Sequence, residues 1–183
     1  SVGIVKKNKI INGSTIKVGD ALVGIASSGI HSNGFSLVRK LFGEDKKSLN
    51  TFNATLGCAP ADIVLTPTRI YVKTILSLIE KFEIKGIAHI TGGGFIENVP
   101  RILPSGLGVY IDRSSYPLPK VFKALQEIAE IDDRNMCNTF NMGIGMVLAV
   151  DPAIANDVVA ELEALGEKAW TIGKVTDKEG VVL

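Results

Sequence analysis

Apolar residues along the chain fall into two rhythms. Short unbroken runs, Ala21 to Ala26, Ile84 to Ile90, Leu107 to Ile111 and Gly145 to Val150, have the length and the branched content of buried strands. Between them, apolar residues recur every three or four positions, as on the buried face of a helix: Phe35, Val38, Leu41 and Phe42, then Tyr71, Ile75, Leu78, Ile79 and Phe82, then Val121, Leu125 and Ile128, then Ala155, Val158, Leu162 and Leu165. Polar punctuation sets the boundaries. Asn33 is the expected N-cap of the first helix, Thr66-Pro67 the N-cap and first residue of the second, and Asp151-Pro152 the cap of the last, which Gly166 ends. Phe95 to Val99 predicts a short helix constrained by Pro100. Val2 to Ile11 predicts a hairpin around Lys6-Lys7-Asn8-Lys9, and Ala169 to Ile172 with Gly180 to Leu183 predicts a final hairpin. Gly43 to Asp62 has no clean period and is expected to be a loop, in part helical. The alternation predicts one α+β domain over residues 1–183, a three-layer α/β/α arrangement with a mixed β-sheet.

Composition narrows the classes of function. Lys plus Arg count 20 and Asp plus Glu 19, a net charge of +1, which leaves no cationic excess to neutralise nucleic acid or an anionic bilayer. At 46% hydrophobic and 21% charged the chain has ample core material, and no apolar run reaches the roughly 20 residues of a membrane span. The two cysteines, Cys58 and Cys137, form neither a disulfide framework nor a zinc motif, which fits a reducing cytoplasm. The opening Ser1-Val2-Gly3-Ile4-Val5 starts without Met in a strand-like pattern and is expected to follow a larger N-terminal part.

Glycine, 19 of 183 residues, gathers at the joints between predicted strands and helices. Outward-pointing backbone N–H groups at such joints favour anions. At the first joint, Ser27-Ser28-Gly29-Ile30-His31-Ser32-Asn33-Gly34 places hydroxyls, an imidazole and a carboxamide at the carboxyl end of a strand, where open α/β sheets bind ligands. At the second, Gly92-Gly93-Gly94 either makes a tight turn for close helix packing or lets a ligand approach. Neither joint has a P-loop or dinucleotide fingerprint. The two histidines, His31 and His89, sit one at each joint, so a shared cleft is expected. His31 is the candidate proton-transfer group, while His89 fits a satisfied core histidine equally well. Arg69 is expected to meet an anionic ligand or an acidic neighbour. Asn141, beside Gly143 and Gly145, either orients a substrate amide or closes an Asx-turn. No metal-ligand spacing and no nucleophile motif is present.

Four blocks, SSGIHSNGFSLVRK from Ser27, LTPTRIY from Leu65, AHITGGGFIENVPR from Ala88 and TFNMGIGM from Thr139, followed by AWTIGKV from Ala169, resemble the C-terminal half of the AIR synthetase family, the phosphoribosylformylglycinamidine cyclo-ligases. The resemblance implies an ATP-dependent ring closure in purine synthesis, in which formylglycinamidine ribonucleotide gives aminoimidazole ribonucleotide with release of ADP and phosphate. It implies further that an N-terminal half carries most of the ATP and Mg²⁺ site and the contact of a homodimer, no cofactor being required by this domain itself. The expected roles are a substrate-binding loop of Ser28, Gly29, Ser32, Asn33 and Gly34 with Asn141, a phosphate contact at Gly92, Gly93 and Gly94, and His31 as acid or base. The alternatives are another ATP-using member of the superfamily, such as formylglycinamidine synthetase, selenophosphate synthetase or thiamine-phosphate kinase, and a non-catalytic ligand-binding module.

Overall fold

A computed structural model describes residues 2–183. In chain order the elements are β1 (Ala21–Ala26), α1 (Phe35–Phe42), α2 (Lys46–Asn50), α3 (Pro60–Val64), α4 (Val72–Lys81), β2 (Gly86–His89), α5 (Gly94–Asn98), β3 (Gly108–Ile111), α6 (Lys120–Ala129), α7 (Asp133–Thr139), β4 (Ile144–Val150), α8 (Ala155–Ala164), β5 (Ala169–Thr176) and β6 (Gly180–Val182). The strands form one sheet in the order β2-β4-β1-β5-β3-β6. Every neighbouring pair is antiparallel except β3 and β6, so the sheet is mixed. Its two outer strands are short, which limits the exposed row of unpaired backbone groups.

Strand residues alternate between two cores. Leu22, Val147, Ala149 and Ile172 face one side, where α1, α5, α6 and α7 contribute Val38, Phe95, Phe122, Leu125, Met136 and Phe140. Val23, Ile25, Leu148 and Val150 face the other, against Leu78 of α4 and Val158 and Leu162 of α8. Helices thus cover both faces, the three layers expected of the periodicity. Each fully buried Leu, Ile or Phe contributes about 1.5–3 kcal/mol. Among the described residues no helix is long and apolar enough to cross a membrane.

Several local expectations change. Val2 to Ile11 forms no hairpin: it holds one 3-10 turn, Lys7–Lys9, and Val2, Ile4, Val5 and Ile10 are exposed, since a two-stranded hairpin with no sheet to join is marginal in water. β5 and β6 are not a hairpin either, because β3 lies between them. The turn that joins them crosses Gly108, where an added Cβ would collide with the Lys178 and Gly180 backbone. Helix α4 begins at Val72 and not at Thr66-Pro67. Thr66 instead donates its hydroxyl to the Asp62 carbonyl (2.7 Å), closing α3, and leaves 66–71 as a strap without regular secondary structure. Gly43 to Asp62 contains α2 and the start of α3, with Asp45 capping α2 through the Ser48 N–H at 2.9 Å.

The two ends of the sheet differ chemically. At one end, ahead of β1 and β2 and beyond β4, the buried Lys85 ammonium meets the buried Asp20 carboxylate at 2.6 Å and Asp151 at 3.7 Å. Asp20 also accepts the Lys17 N–H at 2.9 Å. At the other end β1 and β2 terminate and β4 begins, and the polar loops gather there.

Candidate active site

Because β4 lies between β1 and β2 and runs antiparallel to both, the loops that leave β1 and β2 emerge side by side, with the Asn141–Gly143 turn between them. Three carboxamides tie this arrangement together. Asn33 does not cap α1; the residue before that helix is Gly34 in a left-handed conformation without a side-chain cap. The Asn33 amide instead donates to the Ile90 carbonyl at 3.4 Å, linking the two loops. Asn141, fully buried, donates to the Gly29 carbonyl (2.9 Å) and accepts from the Ser27 hydroxyl (3.2 Å) and from the Gly143 N–H (2.9 Å). Of its two readings, the Asx-turn is the one seen, and its amide faces protein. Asn98, which the sequence did not single out, donates to the carbonyls of Thr91 (3.3 Å), Gly92 (3.1 Å) and Gly94 (2.8 Å). It also accepts from the Thr91 hydroxyl at 3.2 Å and from Arg101 at 3.1 Å. Only its place one turn beyond three glycines, with Arg101 next along, could have flagged it.

The three glycines divide the two roles offered for them. Gly94 packs on α7, where a Cβ would strike the Cys137 carbonyl. Gly92 is exposed and has no atom within 4 Å of a Cβ position, so packing does not explain it. Among the described residues no acceptor meets the Gly92 or Gly93 N–H. On the neighbouring loop Ser28 and Ser32 are exposed; Ser28 donates its hydroxyl to the Pro67 carbonyl at 2.7 Å, fastening the 66–71 strap.

His31 lies behind this surface. It is 4% exposed, in a left-handed conformation with φ of 54°, and its Nε2 accepts the Ser28 N–H at 3.1 Å, with the Arg69 N–H at 3.5 Å. Accepting at Nε2 places the proton of the neutral ring on Nδ1, which has no partner among the described residues. Burial, with the positive charges of His89 and Arg69 nearby, lowers its pKa from 6.5 to about 4. His31, Tyr71 and His89 form an aromatic cluster with ring centres 6.2–6.4 Å apart. Tyr71 donates to the Ala26 carbonyl at 2.8 Å, and burial pushes its phenol well above the usual range. Gly145, at the bulge where β1 shifts register on β4, makes this cluster possible: a Cβ there would collide with Tyr71 Oη and lie 2.8 Å from His31 Cε1. His89 is exposed and not a core histidine; with Arg69, Tyr71 and Met146 it lines a mostly apolar recess of about 440 Å³. Arg69 has an acidic neighbour, Glu167, at 3.0 Å, itself held by the Thr74 hydroxyl at 3.0 Å.

The described residues include no group of three or more His, Cys, Asp or Glu side chains placed to hold a metal ion. What they offer is free backbone donors and the exposed Ser32 hydroxyl on a braced rim, a surface suited to binding and orienting an anion.

Comparison with known proteins identifies the family. Residues 17–183 match the family model described as AIR synthase related protein, C-terminal domain. The phosphoribosylformylglycinamidine cyclo-ligase of Acetivibrio thermocellus is 58% identical over 182 residues, 99% of this chain and 54% of that protein. The protein of the same name from a Geobacillus strain is 54% identical over 99% of this chain and 53% of its own length. The chain therefore spans about half the length of these relatives. Among solved structures, thiamine-monophosphate kinase from Stenotrophomonas maltophilia superposes with a TM-score of 0.67 at 16% identity, over 97% of this chain and 54% of that one. PurL of T. maritima complexed with AMPPCP gives 0.58 at 11% identity, over 97% and 25%. The two structural likenesses bear on the fold alone, and the sequence matches place the chain in the AIR synthase related family, as its C-terminal domain.

Proposed function

We propose that residues 1–183 form the C-terminal domain of an ATP-dependent cyclo-ligase that converts formylglycinamidine ribonucleotide to aminoimidazole ribonucleotide, with ADP and phosphate released. The observation that carries the reading is the juxtaposition of the two glycine-bearing loops at one end of the sheet, bridged by Asn33 and presenting unpaired N–H groups at Gly92 and Gly93. A ribonucleotide phosphate fits those donors, and on the neighbouring loop the exposed Ser32 hydroxyl, with Ser28 as a further acceptor, would orient the rest of the substrate. In this reading ATP, as co-substrate, supplies the phosphoryl group that activates the formyl oxygen; it and Mg²⁺ are assigned to the preceding half of the full-length protein, as is the homodimer contact.

His31 acts here by position. A buried neutral imidazole that accepts the Ser28 N–H holds the loop in shape, and a group whose pKa is lowered to about 4 is a weak base with no open path to substrate. Asn33, Asn98 and Asn141 serve in the same way, while Gly29 and Gly34 let the loop turn between them.

The test is Gly92→Asp in the full-length enzyme. Gly92 has no neighbour within 4 Å of a Cβ and no left-handed φ, so the carboxylate enters open space without disturbing the fold. Facing a phosphate, it should raise KM for formylglycinamidine ribonucleotide by roughly 10-fold or more, the scale of a like-charge contact. An unchanged KM refutes the phosphate assignment. The 183-residue chain alone should form no product, and measurable turnover from it refutes the division of labour.

A further inference from the structure

Helix α4 carries two apolar stripes, and only one of them is used. Tyr71, Leu78 and the half-buried Ile75 and Phe82 face the core. Val72, Leu76 and Ile79, at spacings of four and three, form a second stripe roughly a quarter-turn away and are 60%, 53% and 37% exposed. Ile70, immediately before the helix, extends it and is 82% exposed. A surface helix of a self-sufficient domain needs one stripe; the second widens the apolar arc of α4 to nearly half of its circumference, and a contiguous exposed apolar patch marks an interaction surface.

We propose that this second stripe is the surface on which the preceding half of the full-length protein docks. Two observations select that occupant over others. The relatives are nearly twice as long as this chain, which matches a C-terminal domain, so a body of similar size is unaccounted for on its N-terminal side. The segment that leads into the domain runs along this same stripe: Val5 and Ile10 line one groove of about 560 Å³ with Leu76 and Ile79. The chain thus arrives over α4. The stripe also continues into the recess lined by Ile70, Leu76 and His89, so a body seated there closes that side of the candidate site. The proposal rests on family membership and length, and stands whatever substrate the site takes.

Hydrogen exchange on the full-length protein and on the 183-residue chain tests it directly. Backbone amides of residues 72–79 should exchange about tenfold or more slowly in the full-length protein, while those of the distant β6 exchange alike in both. Equal exchange of α4 in the two overturns the proposal. Leu76→Glu and Ile79→Glu supply a second readout: in the short chain both leave the thermal midpoint near its original value, whereas in the full-length protein each should lower it by roughly 5 °C or more. A full-length protein that tolerates both charges overturns the assignment. So does a short chain that sediments as a dimer, becomes a monomer on Leu76→Glu and shows no difference in α4 exchange, because the occupant is then a second copy.

Discussion

Gly145→Ala adds one methyl group at the point where the aromatic cluster is tightest. Alanine suits the strand backbone, since Gly145 has no left-handed φ, and by restricting the unfolded chain it would gain about 0.4–1 kcal/mol. The added Cβ, however, would collide with Tyr71 Oη and stand 2.8 Å from His31 Cε1. Tyr71 must withdraw, which breaks its 2.8 Å bond to the Ala26 carbonyl and leaves buried polar atoms unpaired, a cost of about 1–3 kcal/mol. Repacking the crowded site adds about 1–3 kcal/mol. The net expectation is a loss of roughly 2–4 kcal/mol, read as a lower urea midpoint at unchanged slope. Tyr71→Phe separates the causes, because it deletes the atom with which the methyl collides. In that background Gly145→Ala should cost at least about 1 kcal/mol less, a coupling that only neighbours show. A Gly145→Ala variant within about 0.5 kcal/mol of the parent, or one equally damaging in both backgrounds, refutes the argument that this glycine exists for Tyr71.

Other consequences follow from the same packing. Asn98→Ala removes the donor shared by the Thr91, Gly92 and Gly94 carbonyls and should destabilise by about 2–4 kcal/mol in urea titration, with proteolysis at Gly92–Gly93 accelerated. Between its ordinary pKa of 6.5 and its folded value of about 4, His31 binds a proton more readily in the unfolded chain; stability is therefore full above pH 6.5 and falls as pH drops toward 4, by roughly 2–3 kcal/mol, with Tyr71, His89 and Arg69 the groups that face it. His31→Gln should flatten that part of the pH profile, and an unchanged slope would assign it to other groups. At the opposite end of the sheet, Asp20→Ala leaves the buried Lys85 ammonium with only the half-exposed Asp151 at 3.7 Å and should cost about 3 kcal/mol, most of it recovered in Asp20→Leu/Lys85→Met; a double variant as unstable as the single would show that the ion pair itself stabilises the fold.

Hydrophobic rhythm carried the fold well where burial alone decides. The run Ala21 to Ala26 is β1, and the spacing of Val121, Leu125 and Ile128 marks α6, since a strand sealed on both faces leaves an unbroken apolar run and a helix with one wet side a periodic one. Prediction failed where a polar group chose between equivalent partners. Thr66 has the look of an N-cap, yet its hydroxyl closes the helix behind it. Helix α7 has only Met136 and Cys137 buried, too few to print a period. The parallel pairing of β6 with β3 is a choice among distant edges that local sequence does not encode. In Ile79 the period misled: a residue in step with the inward face belongs to the other stripe.

For the site, residue type was legible and direction was not. Histidine, serine and asparagine around glycine marked the right end of the right strands, and the two joints do adjoin. Sequence could not show that the three carboxamides and the imidazole turn inward, since a side chain that braces a loop and one that grips a ligand use the same atoms. The accounting of hydrogen bonds decides between them. Asn141 has protein partners at both polar ends, Asn98 has three carbonyls on one amide, and His31 gives its lone pair to Ser28. Once these are spent, and the Ser28 hydroxyl is given to Pro67, what remains is main chain and one exposed hydroxyl: the N–H groups of Gly92 and Gly93, and Ser32. Such a surface donates hydrogen bonds from the main chain, chemistry that suits an anion. Main-chain donors have no side chain to delete, so substitution of Gly92, whose Cβ position has no atom within 4 Å, is the sharpest probe of them.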